Sequence, residues 1–239
     1  MILLAAFLGN PGREYEGNRH NAGCLLARRL KFFHSLNWRK KFKGLWADVE
    51  SCELLSLCPS TDENPMPPFP LPKVHFLMPG TFMNRSGDSV CEAAAFLKIA
   101  PEQIMVVHDE LELALGTISL KFSGGLGGHN GLRSMKANFG TADFWRLRLG
   151  IGRPDERLPG QGGREGSGRG IVDWVLSDFD TEENSILGPC LEIAAELLLK
   201  ILVFGPENFL PLWAKKKTYE PLSKNEIPVN INNEEAHET

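Results

Sequence analysis

Short apolar runs alternate with longer amphipathic segments along this chain, and that alternation constrains the fold more than any other feature. The opening run "MILLAAFL" is apolar throughout, which is typical of a strand buried on both faces. Later runs such as "IMVVHDE" and "TISLKF" also have the length of strands, while "NGLRSMKANF" carries apolar residues at helical spacing. Strands that alternate with helices predict an α/β sheet covered on both sides.

The same patterns predict the individual elements. In "FWRLRLGIG" the apolar residues occupy one face of a strand, and Arg146 and Arg148 occupy the other. Closely spaced strands around residues 44–78 indicate that the sheet is mixed rather than wholly parallel. We expect strands at 1–8, 44–58, 73–78, 104–110, 117–122 and 144–152, and helices at 21–34, 83–100, 130–139, 182–204 and 205–216.

The length of 239 residues and the hydrophobic content of 42% allow one domain, or at most two. The net charge of −4 comes from the acidic end of the chain, because residues 220–239 hold five acids and one lysine. Residues 17–47 contain no acid and form either an anion-facing patch or a solvated helix face. The basic residues there are Arg19, Arg28, Arg29, Lys31, Arg39, Lys40, Lys41 and Lys43.

No feature of the sequence indicates secretion or a membrane. The five cysteines form no CxxC pair, which fits reduced thiols in a soluble cytoplasmic protein. The opening apolar run lacks a cationic leader and ends at Gly9-Asn10, so it is interpreted as a strand rather than a signal peptide. The apolar segment "AAELLLKILVF" is too short to span a bilayer and is interrupted by charges.

Four polar clusters lie where the expected strands end: "GNPGREYEGNRHNAG", "PGTFMNRSG", "HDELELALG" and "SGGLGGHNGLRS". Loops at the carboxyl ends of strands meet at one crevice in an open α/β sheet, and ligands bind there. The candidates for chemistry among their residues are Asn10, Asn84, Asn130, His20, His129 and Asp109.

These residue types favour hydrolysis by a general base. Ser86 lies in no G-x-S-x-G elbow, and no cysteine falls within these loops, which disfavours a covalent intermediate. His20 has the reference pKa of a base near pH 7, and the start of a helix biases it slightly further towards the neutral form. Asp109 is suited to orient the imidazole, and asparagine amides suit a developing oxyanion. The alternative for a single loop histidine or asparagine is a cap or turn.

Metal and phosphate-loop chemistry fit the sequence less well. His20, His108, Asp109 and His129 follow no H-E-x-x-H or similar spacing, so no metal site and no cofactor are predicted. The stretch "GGLGGHNG" lacks the GxxxxGK[ST] pattern and is better interpreted as a mobile lid with glycine hinges.

Taken together, the four clusters resemble the bacterial-type peptidyl-tRNA hydrolases, in order and over residues 1 to about 213. This resemblance implies one three-layer α/β/α domain around a twisted mixed sheet, here residues 1–219, with a polar tail at 220–239 that we expect to be disordered. It implies cleavage of the ester between a peptide and the terminal ribose of tRNA in the cytoplasm, by a monomer that binds the acceptor end of the tRNA and needs no membrane.

The resemblance also assigns roles to single residues. His20 matches the base that activates water, Asp109 the carboxylate that supports it, and Asn10 a residue that positions the histidine and substrate. Asn84 and Asn130 match amides that hold the peptide backbone and the attacking water. The remaining matches are Tyr15 and Met83, which line the cleft, and Lys121 and Arg148, which receive the 5′-phosphate region of tRNA.

The chain departs from the family's usual pattern at its periphery. The proline-rich loop 59–72, the Gly/Arg loop 155–170 and the acidic tail are longer than usual, and Glu112 replaces the more frequent Asp. The alternative hypothesis is a non-catalytic RNA-binding relative, acting as a splicing or ribosome-associated factor. A nucleoside- or phosphate-binding α/β enzyme is the third hypothesis, but the chain has no suitably placed phosphate loop.

Overall fold

The fold is organised around one mixed β-sheet of eight strands. The computed structural model describes residues 1–58, 72–154 and 170–214, and the backbone of residues 217–218. The order across the sheet is β2-β3-β4-β1-β5-β7-β6-β8. The strands are β1 Leu4–Phe7, β2 Arg39–Lys41, β3 Gly44–Val49, β4 Val74–Pro79, β5 Ile104–Glu110, β6 Thr117–Phe122, β7 Trp145–Gly150 and β8 Lys217–Thr218.

The centre of the sheet is parallel and its margins are antiparallel. Strand β1 pairs in parallel with β4 and β5, and β5 pairs in parallel with β7. The pairs β2–β3, β3–β4, β6–β7 and β6–β8 are antiparallel. The prediction of a mixed sheet is therefore confirmed, and the carboxyl ends of β1, β4, β5 and β7 lie along one edge.

Helices cover both faces of the sheet and complete three layers. Alternate residues of β1 separate the two cores: Ala5 and Phe7 belong to the core beneath α1 and α6, while Leu4, Ala6 and Leu8 belong to the core beneath α3 and α4. The α/β/α prediction is confirmed. The helices are α1 Ala22–Ala27, α2 Ser51–Leu57, α3 Ser86–Leu97, α4 Asn130–Phe139, α5 Ile171–Val175, α6 Thr181–Phe204 and α7 Leu210–Trp213.

A glycine sets the close approach of α1 to the sheet. A Cβ atom on Gly23 would lie 2.5 Å from the carbonyl oxygen of Val107 and 2.8 Å from that of Leu8. Only glycine fits such a backbone contact. The start of α1 therefore lies directly over the ends of β1 and β5, where the polar clusters of the sequence converge.

Several predicted elements agree with the structure and others do not. The predictions for β5, β6 and α4 match at every residue. The strand expected over 44–58 ends at Val49, and residues 51–57 form α2, because so short an apolar segment does not distinguish strand from helix. The helix expected over 21–34 ends at Ala27.

The end of α1 has a physical reason in its packing. Leu30 and Phe32 are both buried, and residues two positions apart would point to different faces of a helix. The chain instead continues in tight turns. The helix expected over 205–216 is interrupted, with a 3₁₀ turn at Pro206–Asn208 before α7. Strand β2 and helix α5 were not predicted.

Some expectations fall outside the described residues. These are the proline-rich loop except Pro72, the Gly/Arg loop except Gly170, and the tail 220–239. All five cysteines are unpaired thiols. Within the described ranges, no helix is both long and apolar enough to cross a membrane.

Candidate active site

The loop after β1 brings Asn10 into a fixed position. Its Pro11-Gly12 turn places Gly12 at a φ of 114°, a conformation that favours glycine. Asn21, at the start of α1, then bonds to the backbone of Asn10: its Oδ1 accepts from the Asn10 N–H at 2.7 Å, and its Nδ2 donates to the Asn10 carbonyl at 3.0 Å. The side chain of Asn10 in turn accepts from the backbone N–H of Met83 at 2.8 Å through Oδ1. Its Nδ2 group is therefore the part left for a ligand.

His20 lies beside Asp109, as the sequence predicted for a base and its supporting carboxylate. The Nδ1 atom of His20 is 2.9 Å from Oδ1 and 3.0 Å from Oδ2 of Asp109, and both residues are buried. With Nδ1 bound to the carboxylate, the Nε2 atom carries the lone pair. No hydrogen bond engages Nε2 within the described part of the chain. This arrangement suits an imidazole that accepts a proton from water.

The two groups shift each other's pKa. Burial by itself lowers the pKa of His20, but the charge of Asp109 and its hydrogen bond outweigh burial and raise the pKa above 6.5. Burial alone would raise the pKa of Asp109, yet the charges and hydrogen bonds of His20 and His129 hold it well below its usual range. The expected bias of His20 towards the neutral form is therefore wrong in direction, because an adjacent carboxylate outweighs the end of a short helix.

His129 is a member of this cluster that was not assigned a role from the sequence. Its Nε2 atom lies 2.9 Å from Oδ1 of Asp109. Its Nδ1 atom accepts the backbone N–H groups of Gly131 at 3.1 Å and Leu132 at 3.3 Å, and so caps α4. Two donors on Nδ1 require the proton on Nε2. Asp109 thus accepts hydrogen bonds from two histidines. One feature of the sequence could have identified this role of His129. It lies just before a predicted helix, where a side chain that accepts hydrogen bonds is needed.

The cluster of His20, Asp109 and His129 also has the spacing of a metal site, because its ligand atoms lie within 4.8 Å of one another. However, the tautomer of His129 places a proton on the nitrogen that faces the cluster, and that nitrogen has no lone pair to offer a cation. The carboxylate is engaged by both rings. The residues present therefore fit a hydrogen-bonded triad better than a metal site.

A cavity of about 330 Å³ opens over this cluster. His20, Asp109, His129 and Asn130 line it, together with apolar residues of α5 and residues of the glycine-rich loop. Asn130 is the exposed first residue of α4. The structure therefore brings one of the predicted amides to the same cavity as the predicted base. Glu112, the residue that departs from the family pattern, forms an ion pair with Arg153 at the rim.

Three further residues that were predicted to contact the substrate lie beside the loop that carries Asn10: Tyr15, Met83 and Asn84. Tyr15 packs edge-on against Phe82, with ring centroids 6.4 Å apart. Met83 is only 3% exposed and packs in the core beneath α3 and α4, so its backbone rather than its side chain is the part that meets Asn10. Asn84 is exposed in the 3₁₀ turn Met83–Arg85.

Lys121 and Arg148 lie on the same face of the neighbouring strands β6 and β7. Lys121 is opposite Arg146, and Ser119 is opposite Arg148. The guanidinium of Arg148 donates to Oγ of Ser119 at 2.9 Å and pairs with Glu110 at 3.4 Å. Lys121 and Arg148, the two predicted cations, are therefore diagonal neighbours on one face of the sheet. Arg148 pairs with Glu110, and Glu110 lines the cavity.

Two buried arginines were not identified from the sequence as part of the site. Arg146 is 1% exposed and donates to the carbonyls of Gly125 at 2.6 Å and Gly124 at 2.9 Å, so it holds the glycine-rich loop. Burial lowers its pKa, and the charge of Arg148 lowers it further. Arg19 precedes His20 and forms two hydrogen bonds with Glu183, at 2.7 and 2.5 Å, beneath the ring of Trp174. It anchors the turn that carries the base.

Comparisons with known proteins agree with this geometry. The family model described as peptidyl-tRNA hydrolase matches residues 4–220. A peptidyl-tRNA hydrolase of Treponema pallidum is 43% identical over 219 residues, which are 90% of this chain and 96% of that protein. A peptidyl-tRNA hydrolase of Sorangium cellulosum is 38% identical over 207 residues, 86% of this chain and 81% of that protein.

Solved structures show the same similarity. The crystal structure of peptidyl-tRNA hydrolase from Acinetobacter baumannii aligns with a TM-score of 0.68 and 33% identity, over 90% of this chain and 96% of that one. A crystal structure of a peptidyl-tRNA hydrolase in complex with n-propanol aligns with a TM-score of 0.67 and 31% identity, over 89% of this chain and 92% of that one.

Proposed function

The chain belongs to the peptidyl-tRNA hydrolase family, and from that premise we propose that it is an enzyme that hydrolyses the ester between a peptide and the terminal ribose of tRNA. The single observation that carries the proposal is the His20–Asp109 pair at the cavity, with Nδ1 on the carboxylate and no hydrogen bond to Nε2 from the described residues. The alternative of a non-catalytic RNA-binding relative is not favoured, because the related proteins carry the hydrolase name.

His20 acts as a general base. Its Nε2 atom takes a proton from water as the water oxygen attacks the ester carbonyl. The imidazolium that forms is stabilised by Asp109, whose low pKa keeps it ionised. When the tetrahedral intermediate collapses, the bond to the ribose oxygen breaks and Nε2 returns the proton to that oxygen. The products are a free carboxylic acid on the peptide and a free ribose hydroxyl on the tRNA.

Amide groups supply the remaining contacts at the reacting centre. Oδ1 of Asn10 is bound to Met83, and no described residue forms a hydrogen bond with its Nδ2 group, so Nδ2 is available to the developing oxyanion. Asn84 and Asn130 are exposed and hold the peptide backbone and the attacking water, and Tyr15 and the backbone of Met83 shape the cleft wall. Contacts to backbone amides accept many peptide sequences, as a substrate-general hydrolase requires.

Lys121 and Arg148 contact the 5′-phosphate region of the tRNA. Phosphate contacts position an RNA without distinguishing its bases. Release of tRNA from peptidyl-tRNA returns it to translation, and this role places the enzyme in the cytoplasm. We propose that the enzyme acts as a monomer without a cofactor, because the residues assigned to the reaction all belong to one chain.

The test is release of free tRNA from an N-acetylated aminoacyl-tRNA. We expect wild-type protein to release tRNA and His20→Ala to lose the activity. His34→Ala, at an exposed histidine outside the site, is the matched control and keeps it. Lys121→Ala with Arg148→Ala is expected to weaken activity on tRNA while sparing short nucleotide esters. Full activity of His20→Ala would refute the role of the base, and equal losses on both substrates would refute the phosphate contacts.

A further inference from the structure

The basic residues between 17 and 47 fall into two groups in the structure. Lys40 and Lys41 have no acidic partner among the described residues. The other six cations of this segment form ion pairs with acidic residues: Arg19–Glu183, Arg28–Glu16, Arg29–Glu192, Lys31–Glu196, Arg39–Asp48 and Lys43–Glu92. The ammonium of Lys41 lies over the ring of Phe96, 3.9 Å from its centre, and adjacent residues of a strand point to opposite faces of the sheet. Lys40 is therefore the lysine available to an anion at the other face.

The hairpin that carries these lysines has an unfavourable turn. Its two central residues, Phe42 and Lys43, have φ angles of 52° and 53°, where Asn-Gly is the usual pair. The structure holds the turn on both sides: the Phe42 carbonyl accepts from the hydroxyl of Ser89 at 2.5 Å, and the Lys43 carbonyl accepts from the N–H of Gly80 at 2.8 Å. Strain retained in this way is characteristic of positions with a function.

A cavity of about 860 Å³ separates the hairpin from the loop that carries Asn10. Its wall includes Asn10, so it borders the proposed reacting centre on the side of the Asn10 loop. Its apolar lining comes from Leu45, Met78 and Pro79. Five cations and one acid lie along it: Arg28, Lys40, Lys41, Lys43, Arg85 and Glu16.

The order of strands shows which part of the substrate reaches this cavity. Strands β2, β3 and β4 lie on one side of β1, and β7 and β6 lie on the other side, beyond β5. Lys121 and Arg148, the proposed tRNA contacts, are on β6 and β7. A peptidyl-tRNA runs from RNA through the ester to the peptide. With the RNA on the β6–β7 side and the ester at His20, the peptide extends towards β2–β4.

We infer that this cavity receives the peptide arm of the substrate and favours peptides with acidic side chains close to the ester. The inference rests on the proposed function, since that function sets the direction of the substrate. The apolar lining accommodates the peptide's aliphatic parts, while Lys40, which has no acidic partner among the described residues, is the cation that a carboxylate neutralises. Ion pairs of this exposed kind change binding by a few fold, so the effect is a preference and not an exclusion.

The experiment compares three substrates that share one tRNA and one C-terminal glycine. Each carries two further residues, both Asp, both Asn or both Lys, on an acetylated peptide. Asp and Asn have nearly the same shape, so their difference reports charge. At low salt, we expect kcat/KM to be about threefold to fivefold higher for the Asp substrate than for the Asn substrate, with the Lys substrate lowest.

Variants of the cavity test whether this order of kcat/KM values depends on it. Lys40→Gln removes the Asp preference and leaves the Asn substrate within about twofold of wild type, whereas Lys40→Glu reverses the order. Lys31→Gln, at an exposed lysine paired with Glu196, is the control and keeps the wild-type order. Equal kcat/KM for the Asp and Asn substrates in the wild type would overturn the inference. An equal loss on all three substrates in the Gln variant would overturn it too, by indicating contact with the RNA.

A binding measurement separates this inference from the proposed function. The same three peptides, joined by an amide to 3′-amino-3′-deoxyadenosine, are bound without being hydrolysed. We expect their affinities to follow the order Asp, Asn, Lys. That order without hydrolysis of any ester substrate would refute the proposed function and leave the peptide subsite standing. Hydrolysis of all three esters with equal affinities for the amides would refute the subsite alone.

Discussion

Replacing Asp109 with asparagine tests the central geometry, because it removes the charge beneath His20 and leaves the shape almost unchanged. In the wild type, Oδ1 of Asp109 lies 2.9 Å from both Nδ1 of His20 and Nε2 of His129, and Oδ2 lies 3.0 Å from Nδ1 of His20. The two backbone donors on Nδ1 of His129 keep a proton on its Nε2. The amide oxygen of the introduced asparagine must therefore take the position of Oδ1.

That orientation places the amide NH2 group about where Oδ2 was, against Nδ1 of His20. The NH2 group then favours the tautomer of His20 with its proton on Nε2, which cannot accept a proton from water. The charge that stabilises the imidazolium is lost as well. Complete inversion of the tautomer in a comparable serine-protease triad lowers kcat by about 10⁴. Since Nδ1 keeps one oxygen neighbour here, we expect a loss of about 10³-fold, or about 4 kcal/mol of transition-state stabilisation.

The pH dependence supplies an independent readout of the same substitution. In the proposed mechanism the neutral form of His20 is the active base, so we expect kcat/KM of the wild type to rise with pH through the pKa of His20, which lies above 6.5. Asp109→Asn removes what raises that pKa and leaves burial, which lowers it. The acid limb of the profile therefore moves to lower pH while the plateau falls.

The assay is hydrolysis of an N-acetylated aminoacyl ester of a short nucleotide between about pH 5 and 9, a range that brackets the ordinary pKa of histidine, with folding checked by circular dichroism. Glu110→Gln is the matched control, because Glu110 lines the same cavity but pairs with Arg148; we expect its activity on this substrate within about threefold of wild type. A loss below about tenfold in Asp109→Asn, or an acid limb that stays in place, would refute the reasoning.

Two further predictions concern stability. Glu183→Gln leaves Arg19 as a buried charge without its carboxylate, so we expect the free energy of unfolding to fall by about 3 kcal/mol; an unchanged urea midpoint would contradict this. His108 is buried and its pKa lies well below 6.5 because of that burial, so the unfolded state gains a proton that the folded state does not as pH falls below 6.5. The free energy of unfolding should therefore fall by up to about 1.4 kcal/mol per pH unit below 6.5, whereas the contribution of His20, whose pKa is raised, is complete there. The pH dependence between about 6.5 and 5 should be weaker in His108→Gln; equal slopes in urea titrations of both proteins would count against it.

The correctly predicted elements are those in which the hydrophobic pattern and the flanking polar residues indicate the same boundaries. The run "IMVVHDE" is apolar and lies between polar segments, and it forms β5 at the predicted residues. Residues 51–57 were predicted as strand but form α2, because a single buried leucine, Leu54, does not define a hydrophobic periodicity. The length of α1 was overestimated because Leu30 and Phe32 pack by a turn that periodicity does not reveal.

The contacts among the candidate site residues were predicted only in part, and their roles stay predictions. His20 and Asp109 are 89 residues apart and meet as expected. The second histidine on the carboxylate, His129, and the anchoring of Arg19 by Glu183, 164 residues away, were not predicted. Nothing in either local pattern identifies the partner at such a distance.

The sequence by itself determined that this chain forms a mixed α/β sheet with polar loops at its strand ends, and that these loops carry histidines, an aspartate and asparagines. Local periodicity and turn chemistry hold that information, because they depend on neighbouring residues. Only the tertiary structure decided that Asp109 serves two histidines, that Arg19 and Arg146 are buried while Lys40 and Lys41 have no acidic partner in the described part of the chain, and that the pKa of His20 is raised. These properties depend on distance and burial, which arise when β1, β5 and the helices over them come together.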